Sequence, residues 1–307
     1  QAFVAFYSAT QLGGSSAPSA PLWETVIPNA MSGKAVHPLP GGRGGFVAAI
    51  AGMEGEAPYL VKLDANGGIV WQKSYPNHGE LTELDVLGEN GQFEGFVLVG
   101  HKGGAQGGID GSITKVTPDG AIVWEVAVGD PIGGTGPFSG LGAGNPSLIF
   151  DECWGVRATI DGGAIVGCGT GIEGCDDYAS SSAIGTECRN DPRRMWRGLL
   201  VKVDRNGQEV WSRVDSFVEE GEYLESASEY VSLGADGEVI SIVDQGFGIG
   251  ILALEASPSN RPAWSLTGDG GSSEGSDPVD ESDGSDTSNP NDESDAADPA
   301  DDSDTAD

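Results

Sequence analysis

The chain has 307 residues, and 48 Asp and Glu against 15 Lys and Arg leave it a formal charge of −33 at neutral pH. So few cations cannot neutralise a run of phosphates, which excludes nucleic acid as a partner. No stretch of about 20 consecutive apolar residues occurs, so the sequence carries no transmembrane helix.

The charge is unevenly spread. Residues 268–307 hold 15 carboxylates, many Ser, Pro, Gly and Ala, and no Lys, Arg or aromatic residue. Such a segment cannot bury enough apolar surface to offset the entropy of ordering it, and its charges repel one another. It reads as a disordered acidic tail or linker. Residues 1–267 read as the folded domain, with 33 acidic against 15 basic side chains. An acidic surface of this kind favours solubility. Gln1 stands directly before a strand, as expected of a mature chain whose leader has been removed.

The first predicted strands are Phe3–Tyr7 and Leu22–Ile27, the second containing Trp23. Further on, one phrase recurs three times: Tyr59–Trp71 (YLVKLDANGGIVW), Ser112–Trp124 (SITKVTPDGAIVW) and Leu199–Trp211 (LLVKVDRNGQEVW). Looser copies end at Trp23 and Trp264. Each sharp copy has Asn-Gly or Asp-Gly between two apolar runs, the signature of a two-residue hairpin turn with positive φ. Residues opposed across such a turn have position numbers of constant sum. The sums are 133 for Asn66-Gly67, 239 for Asp119-Gly120 and 413 for Asn206-Gly207, which set Lys62 opposite Trp71, Lys115 opposite Trp124 and Lys202 opposite Trp211. The lysine stem is expected to cover the indole while its ammonium reaches water or the ring face, at roughly 0.2–1 kcal/mol per pair. A lysine repeated once per unit is a structural device, not a catalytic amine.

Between these phrases lie the apolar runs Gly45–Gly52, Gly95–Gly100, Gly163–Cys168 and Gly237–Val243, each after a glycine-bearing turn. They are apolar on both faces, as in a sheet covered on both sides. Each unit therefore reads as a four-stranded antiparallel sheet, with strands A and B from the first hairpin and C and D from the tryptophan hairpin. The tryptophans are spaced by 48, 53, 87 and 53 residues, one propeller blade per step plus one large insertion. The expected fold is an all-β propeller of four full blades plus an N-terminal half-blade hairpin, about five in all. The repeat G-x-[VI]-x-x-G followed by [LI]-[VT]-K-[LV]-D-x-x-G-x-x-x-W resembles the blade repeat of secreted bacterial β-propellers over residues 1–267. That resemblance implies the propeller fold and an extracellular setting, and no single activity.

Propeller topology puts turns A–B and C–D on one rim and loops B–C and D–A on the other. The two long insertions, residues 129–148 and 169–196, therefore emerge on one face, where propellers place binding surfaces. The second insertion holds Arg189, Arg193, Arg194 and Arg197 around Trp196, with Asp176, Asp177, Tyr178 and Asp191 nearby. Two readings stand open: a guanidinium and aromatic platform for a glycan or acidic protein segment, or arginines paired with these aspartates to close the loop. Cys153, Cys168, Cys175 and Cys188 lie within 36 residues without paired C-x-x-C spacing, which suits two disulfides in an oxidising compartment, with Cys153–Cys168 and Cys175–Cys188 the favoured of three connectivities.

His37, His78 and His101 fall in or beside loops and read as surface residues. No nucleophile, zinc or P-loop motif appears, so no catalytic residue and no metal site is assigned. Asp64, Asp119 and Asp204 read as turn residues, and the acidic tail as a weak calcium associator. The function expected is a secreted or cell-surface structural or binding module for a protein or glycan. A propeller lyase or glycosidase acting on polysaccharide is the alternative, and a self-assembling subunit joined by strand addition at the N-terminal hairpin is a third reading.

Overall fold

A computed structural model describes residues 2–7, 20–40, 44–89, 92–104, 108–129, 149–172, 195–215, 217–219, 222–245 and 248–264. All of them belong to the first of two units, Gln1–Thr267 and Gly268–Asp307. Among them the regular structure is β apart from one short 3-10 turn.

A two-stranded hairpin comes first, β1 (Ala2–Phe6) with β2 (Trp23–Ile27). Three up-and-down four-stranded meanders follow, the second and third joined at one point by the parallel bridge Phe150–Ile109. The first joins β3 (Ala30–Pro38), β4 (Phe46–Gly52), β5 (Tyr59–Leu63) and β6 (Ile69–Ser74). The second joins β7 (Glu80–Glu89), β8 (Gln92–Gly103), β9 (Ile109–Val116) and β10 (Ile122–Val128). The third joins β11 (Phe150–Ala158), β12 (Ala164–Gly171), β13 (Arg197–Val203) and β14 (Glu209–Asp215). A small hairpin, β15 (Phe217–Glu219) and β16 (Glu222–Leu224), leads to a three-stranded sheet of β17 (Ala227–Leu233), β18 (Val239–Gln245) and β19 (Gly248–Leu254).

The sheets stack face to face, and a separate apolar layer fills each junction. Ala2 and Ile27 pack on Ala48, Ile50 and Val61 at the first. Val47, Ala49 and Leu60 meet Leu84, Phe96 and Leu98 at the second. Val97 and Val99 meet Val156, Val166 and Val201 at the third, and Ile165 and Leu200 meet Val231 and Val239 at the fourth. Alternate residues of one strand thus serve opposite junctions, which is why β4 after Phe46 and the whole of β12 are buried. Meanders stacked with β3, β7, β11 and β17 innermost are the blades of a β-propeller.

The three expected lysine–tryptophan pairs are present: Lys62 opposite Trp71, Lys115 opposite Trp124 and Lys202 opposite Trp211. The turns that set them are not two-residue turns. In the first, the Gly67 N–H donates to Asp64 O (3.1 Å) and the Asp64 N–H to Gly68 O (2.8 Å), giving a three-residue loop with Gly67 at φ 83°. That loop alone would lower the register sum by one. An extra residue before each tryptophan (Val70, Val123 or Val210) bulges out and restores it. The Asp64 carboxylate explains the choice of loop. Its Oδ1 accepts the N–H groups of Asn66 and Gly68, both at 2.8 Å, and Asp204 repeats this with Asn206 and Gln208. In the middle copy the Thr117 hydroxyl takes the Ala121 N–H instead.

The lysine ammonium groups do not go to water. Lys62 donates to Pro118 O on the next sheet (3.4 Å), Lys115 meets Glu94 (3.2 Å), and Lys202 binds Asp161 (3.0 Å) and the Thr159 hydroxyl. Burial pulls the Lys202 ammonium below the usual lysine range, and Asp161 opposes that shift. The indoles of Trp23, Trp71 and Trp124 instead lean on the turn of the next sheet. A Cβ on Gly67 would meet the Trp23 ring at 2.6 Å, one on Gly120 would meet Trp71 at 3.2 Å, and one on Gly207 would meet Trp124 at 2.9 Å. The Trp23 and Trp124 N–H groups donate to Ala65 O (3.1 Å) and Arg205 O (2.9 Å) in those same turns.

The looser copy at Trp264 departs from the pattern. After β19 the chain forms a 3-10 turn at Pro258–Asn260, Pro262 bridges Thr159, and the Trp264 ring lies over Gly88 at the end of β7. Trp264 therefore opens no fourth strand beside β19, and the last blade has three strands among the described residues. Cys153 and Cys168 face each other across β11 and β12 and are disulfide-bonded, the first pairing expected. Cys175, Cys188 and the tail lie outside the described residues.

Gly207→Ala should lower stability by about 1–2 kcal/mol through its left-handed backbone alone, and further by displacing Trp124, whereas Asn206→Ala should cost less. Urea unfolding of both variants checks the order. Replacing Cys153 and Cys168 together by Ala opens a loop with a sequence separation of 15. The loss should be about 3 kcal/mol, read as a lower urea midpoint.

Candidate functional site

Strand direction alternates within a meander, so the ends of β8, β10 and β12 share a rim with the starts of β9, β11 and β13. The described residues show how close these points lie. Phe150 pairs with Gly171 across β11–β12 and bridges Ile109 of β9. Ile172 bridges Met195, and a Cβ on Gly129 would meet the Asp151 carboxylate at 2.1 Å. Asp151 is buried and accepts a hydrogen bond from Thr170. Both long insertions thus leave and re-enter the scaffold around one buried carboxylate.

Of the residues singled out in the second insertion, Tyr178, Asp176, Asp177, Arg189, Arg193 and Arg194 lie outside the described residues. Trp196 and Arg197 are described, and neither is presented to solvent, at 7% and 8% exposure. Trp196 covers Gly169, stands edge-on to Trp154 at 5.9 Å, and accepts the Ser226 N–H on its carbonyl. Arg197 opens β13, a strand buried along its whole length. These two side chains anchor the returning end of the insertion and form no part of an exposed platform.

The histidines are not plain surface residues either. On the inner strands, His37 of β3 has Nδ1 at 3.5 Å from Asp85 and Nε2 at 3.8 Å from Glu83, both on β7. Asp85 is held by the N–H groups of Val86 (2.7 Å) and Ala158 (2.8 Å), so it also ties β7 to β11. Burial pushes the Glu83 carboxyl above the usual range, while the Leu84 N–H and the charge of Arg157 pull the other way. Further along β7, Glu80 pairs with Lys34 and lies 4.0 Å from His101.

Behind this axial row sits His78, buried at 4% exposure. Its Nδ1 lies 3.1 Å from the Ser112 hydroxyl, and its Nε2 lies 3.1 Å from Thr114 and 3.4 Å from Glu125, which Lys102 pairs at 3.0 Å. Serine, histidine and glutamate in contact invite a hydrolytic reading. Ser112 is fully buried, however, and leaves no room for a substrate carbonyl. The set is a buried hydrogen-bond network. No group of three or more His, Cys, Asp or Glu is placed to hold a metal ion among the described residues.

No protein-family model matches the chain, and comparison with curated protein sequences gives no match. Among solved structures it is similar to a eukaryotic initiation factor at 9% identity and a TM-score of 0.31, over 85% of this chain and 59% of the other. It is also similar to the Vanderwaltozyma polyspora Nup133 β-propeller domain at 7% identity and a TM-score of 0.32, over 75% and 57%. A hypothetical protein from Leishmania major aligns at 8% identity and a TM-score of 0.25, over 69% and 80%. The chain spans less than two thirds of the length of the first two.

Burial is the largest influence on His78 and lowers its proton affinity, with Glu125 opposing; His101 is lowered for the same reason. Below the ordinary value of 6.5 the unfolded chain binds protons that the folded chain refuses. Stability should therefore fall as pH drops from 6.5 towards the folded-state values. His78→Gln should be less stable than wild type at pH 8 yet lose less between pH 7.5 and pH 5.5. Urea titrations at those pH values read both effects.

Proposed function

We propose that this chain is a secreted or cell-surface β-propeller that works as a binding module, taking an anionic glycan or an acidic protein segment at the rim where residues 130–148 and 173–194 emerge. The carrying observation is the convergence of both insertion bases on Asp151, with Trp196 and Arg197 locking one end. Long segments rooted together on a rigid scaffold are where such folds gather recognition residues. Arg189, Arg193 and Arg194 supply three guanidinium groups in a chain with 15 cations, and Tyr178 adds an aromatic surface. The Cys153–Cys168 disulfide and the resemblance to secreted bacterial propeller repeats support an oxidising, extracellular setting. No described helix is long and apolar enough to cross a membrane.

Binding stands ahead of a lyase or glycosidase activity because the axial carboxylates are committed. Glu83 and Asp85 flank one imidazole on a single strand, whereas glycoside hydrolysis needs two carboxylates facing each other across a substrate.

Polygalacturonate titrated into the full chain should bind, and neutral dextran should not. Raising salt should weaken the binding. Replacing Arg189, Arg193 and Arg194 together by Ser should reduce affinity at least tenfold. Equal affinity of the triple variant and wild type would sink the proposal.

A further inference from the structure

Among the described residues the inner strands of each interior sheet are covered on both faces, and the two end sheets are covered on one. At the C-terminal end, β17–β19 pack on the third sheet through Val231, Val239, Leu252 and Leu254. The opposite face of the same strands carries Tyr230, Ile242 and Ile251 in one row across the sheet, since Tyr230 pairs with Ile242 and Ile242 with Ile251. Their exposures are 54%, 43% and 76%, and Ile249 beside them reaches 81%.

The N-terminal end shows the converse. The hairpin β1–β2 packs on the first four-stranded sheet through Ala2 and Ile27. Its far face carries the pair Phe3 and Val26, at 60% and 48% exposure. The hairpin has two strands against four in the next sheet, and it covers the start of β3 at Ala30 while leaving the later part of that strand exposed on the same side. Val36, opposite Ala48 of the first junction, is 52% exposed there.

Isolated apolar residues on a surface need no explanation, but a row of isoleucines across a sheet face does. Four junctions in this molecule follow one rule: the trailing face of each sheet meets the leading face of the next. The bare face at the C-terminal end is a trailing face, and the bare face at the N-terminal end is a leading face. They are the two halves of a fifth junction of the kind already formed four times. Among the described residues the two faces do not meet, as their exposures show.

We infer that a second copy of this chain completes that junction, its β1–β3 face seated on the β17–β19 face of the first. The contact is face to face and is distinct from strand addition at the edge of the N-terminal hairpin. It is also heterologous, joining two different surfaces, so it leaves one free face of each kind and extends head to tail.

Light scattering on the full chain across a concentration series tests this. Wild type should exceed the monomer mass of 31.4 kDa, increasingly so as concentration rises. Ile251→Asp and Val26→Asp should each remain monomeric, with Ile249→Lys repeating the first result at a neighbouring position. All three positions are exposed, so unfolding profiles should match wild type. An equimolar mixture of Ile251→Asp and Val26→Asp should give a dimer that grows no further, because each variant keeps the face its partner lacks. Wild type at monomer mass throughout, or a mixture that stays monomeric, would overturn the inference.

Discussion

The structure depends on the contact between a tryptophan ring and a glycine in the turn of the following sheet. Trp23, Trp71 and Trp124 reach Gly67, Gly120 and Gly207, so closely that a Cβ would clash with the ring at Gly67 and Gly207 and crowd it at Gly120. The glycine has two duties there: positive φ closes the three-residue loop, and the missing side chain makes room for the indole. The valine that bulges before Trp71, Trp124 and Trp211 is a further part of the device, since it resets the strand register and so decides which face the ring takes. Because each contact joins one sheet to its neighbour, the domain is held as a series of nearest-neighbour junctions, in the manner of repeat proteins. Among the described residues the series runs from the hairpin of β1 and β2 to the sheet of β17–β19, where Val26 and Ile251 are exposed.

Much of this was legible from residue spacing, in part for reasons the spacing did not reveal. The pairs Lys62–Trp71, Lys115–Trp124 and Lys202–Trp211 follow from a two-residue turn, yet the turn has three residues and a bulge compensates. The hidden variable is the Asp or Thr at the loop entrance, whose side chain takes backbone N–H groups and selects the longer loop. Trp264 shows the limit of motif reading. Nine residues separate Glu255 from Trp264, against seven from Asp64 to Trp71, and the added length lets the ring settle on Gly88.

The candidate site was less legible. Trp196 and Arg197 stand in an arginine-rich stretch and read as exposed, but a strand lying between two covered faces starts at Arg197 and takes both side chains inside. His37 comes from one repeat and Glu83 and Asp85 from the next, and only the alignment of inner strands brings them together. One signal was present: Glu80, Glu83 and Asp85 interrupt an otherwise apolar run, a pattern that suits a strand with one face on a polar axis.

A chain this acidic has few cations, and the described fold commits most of its lysines. Five of the six bind within the blades or between them: Lys34 to Glu80, Lys62 to Pro118, Lys102 to Glu125, Lys115 to Glu94 and Lys202 to Asp161. Lys115 and Lys202 are buried, where removing one partner costs far more than at a surface. Their positive charge therefore serves cohesion and is not available to a ligand. Arg197 is buried in its strand, and Arg205 and Arg213 approach Glu94 and Asp215. Arg189, Arg193 and Arg194 are three further cations close together in the sequence of the second insertion. A cost in self-repulsion within an acidic chain is lowered by spreading cations evenly. For Arg189, Arg193 and Arg194, the sequence neighbours Asp176, Asp177 and Asp191 leave two uses open for the guanidinium groups, closing the insertion on itself or meeting an anion from outside.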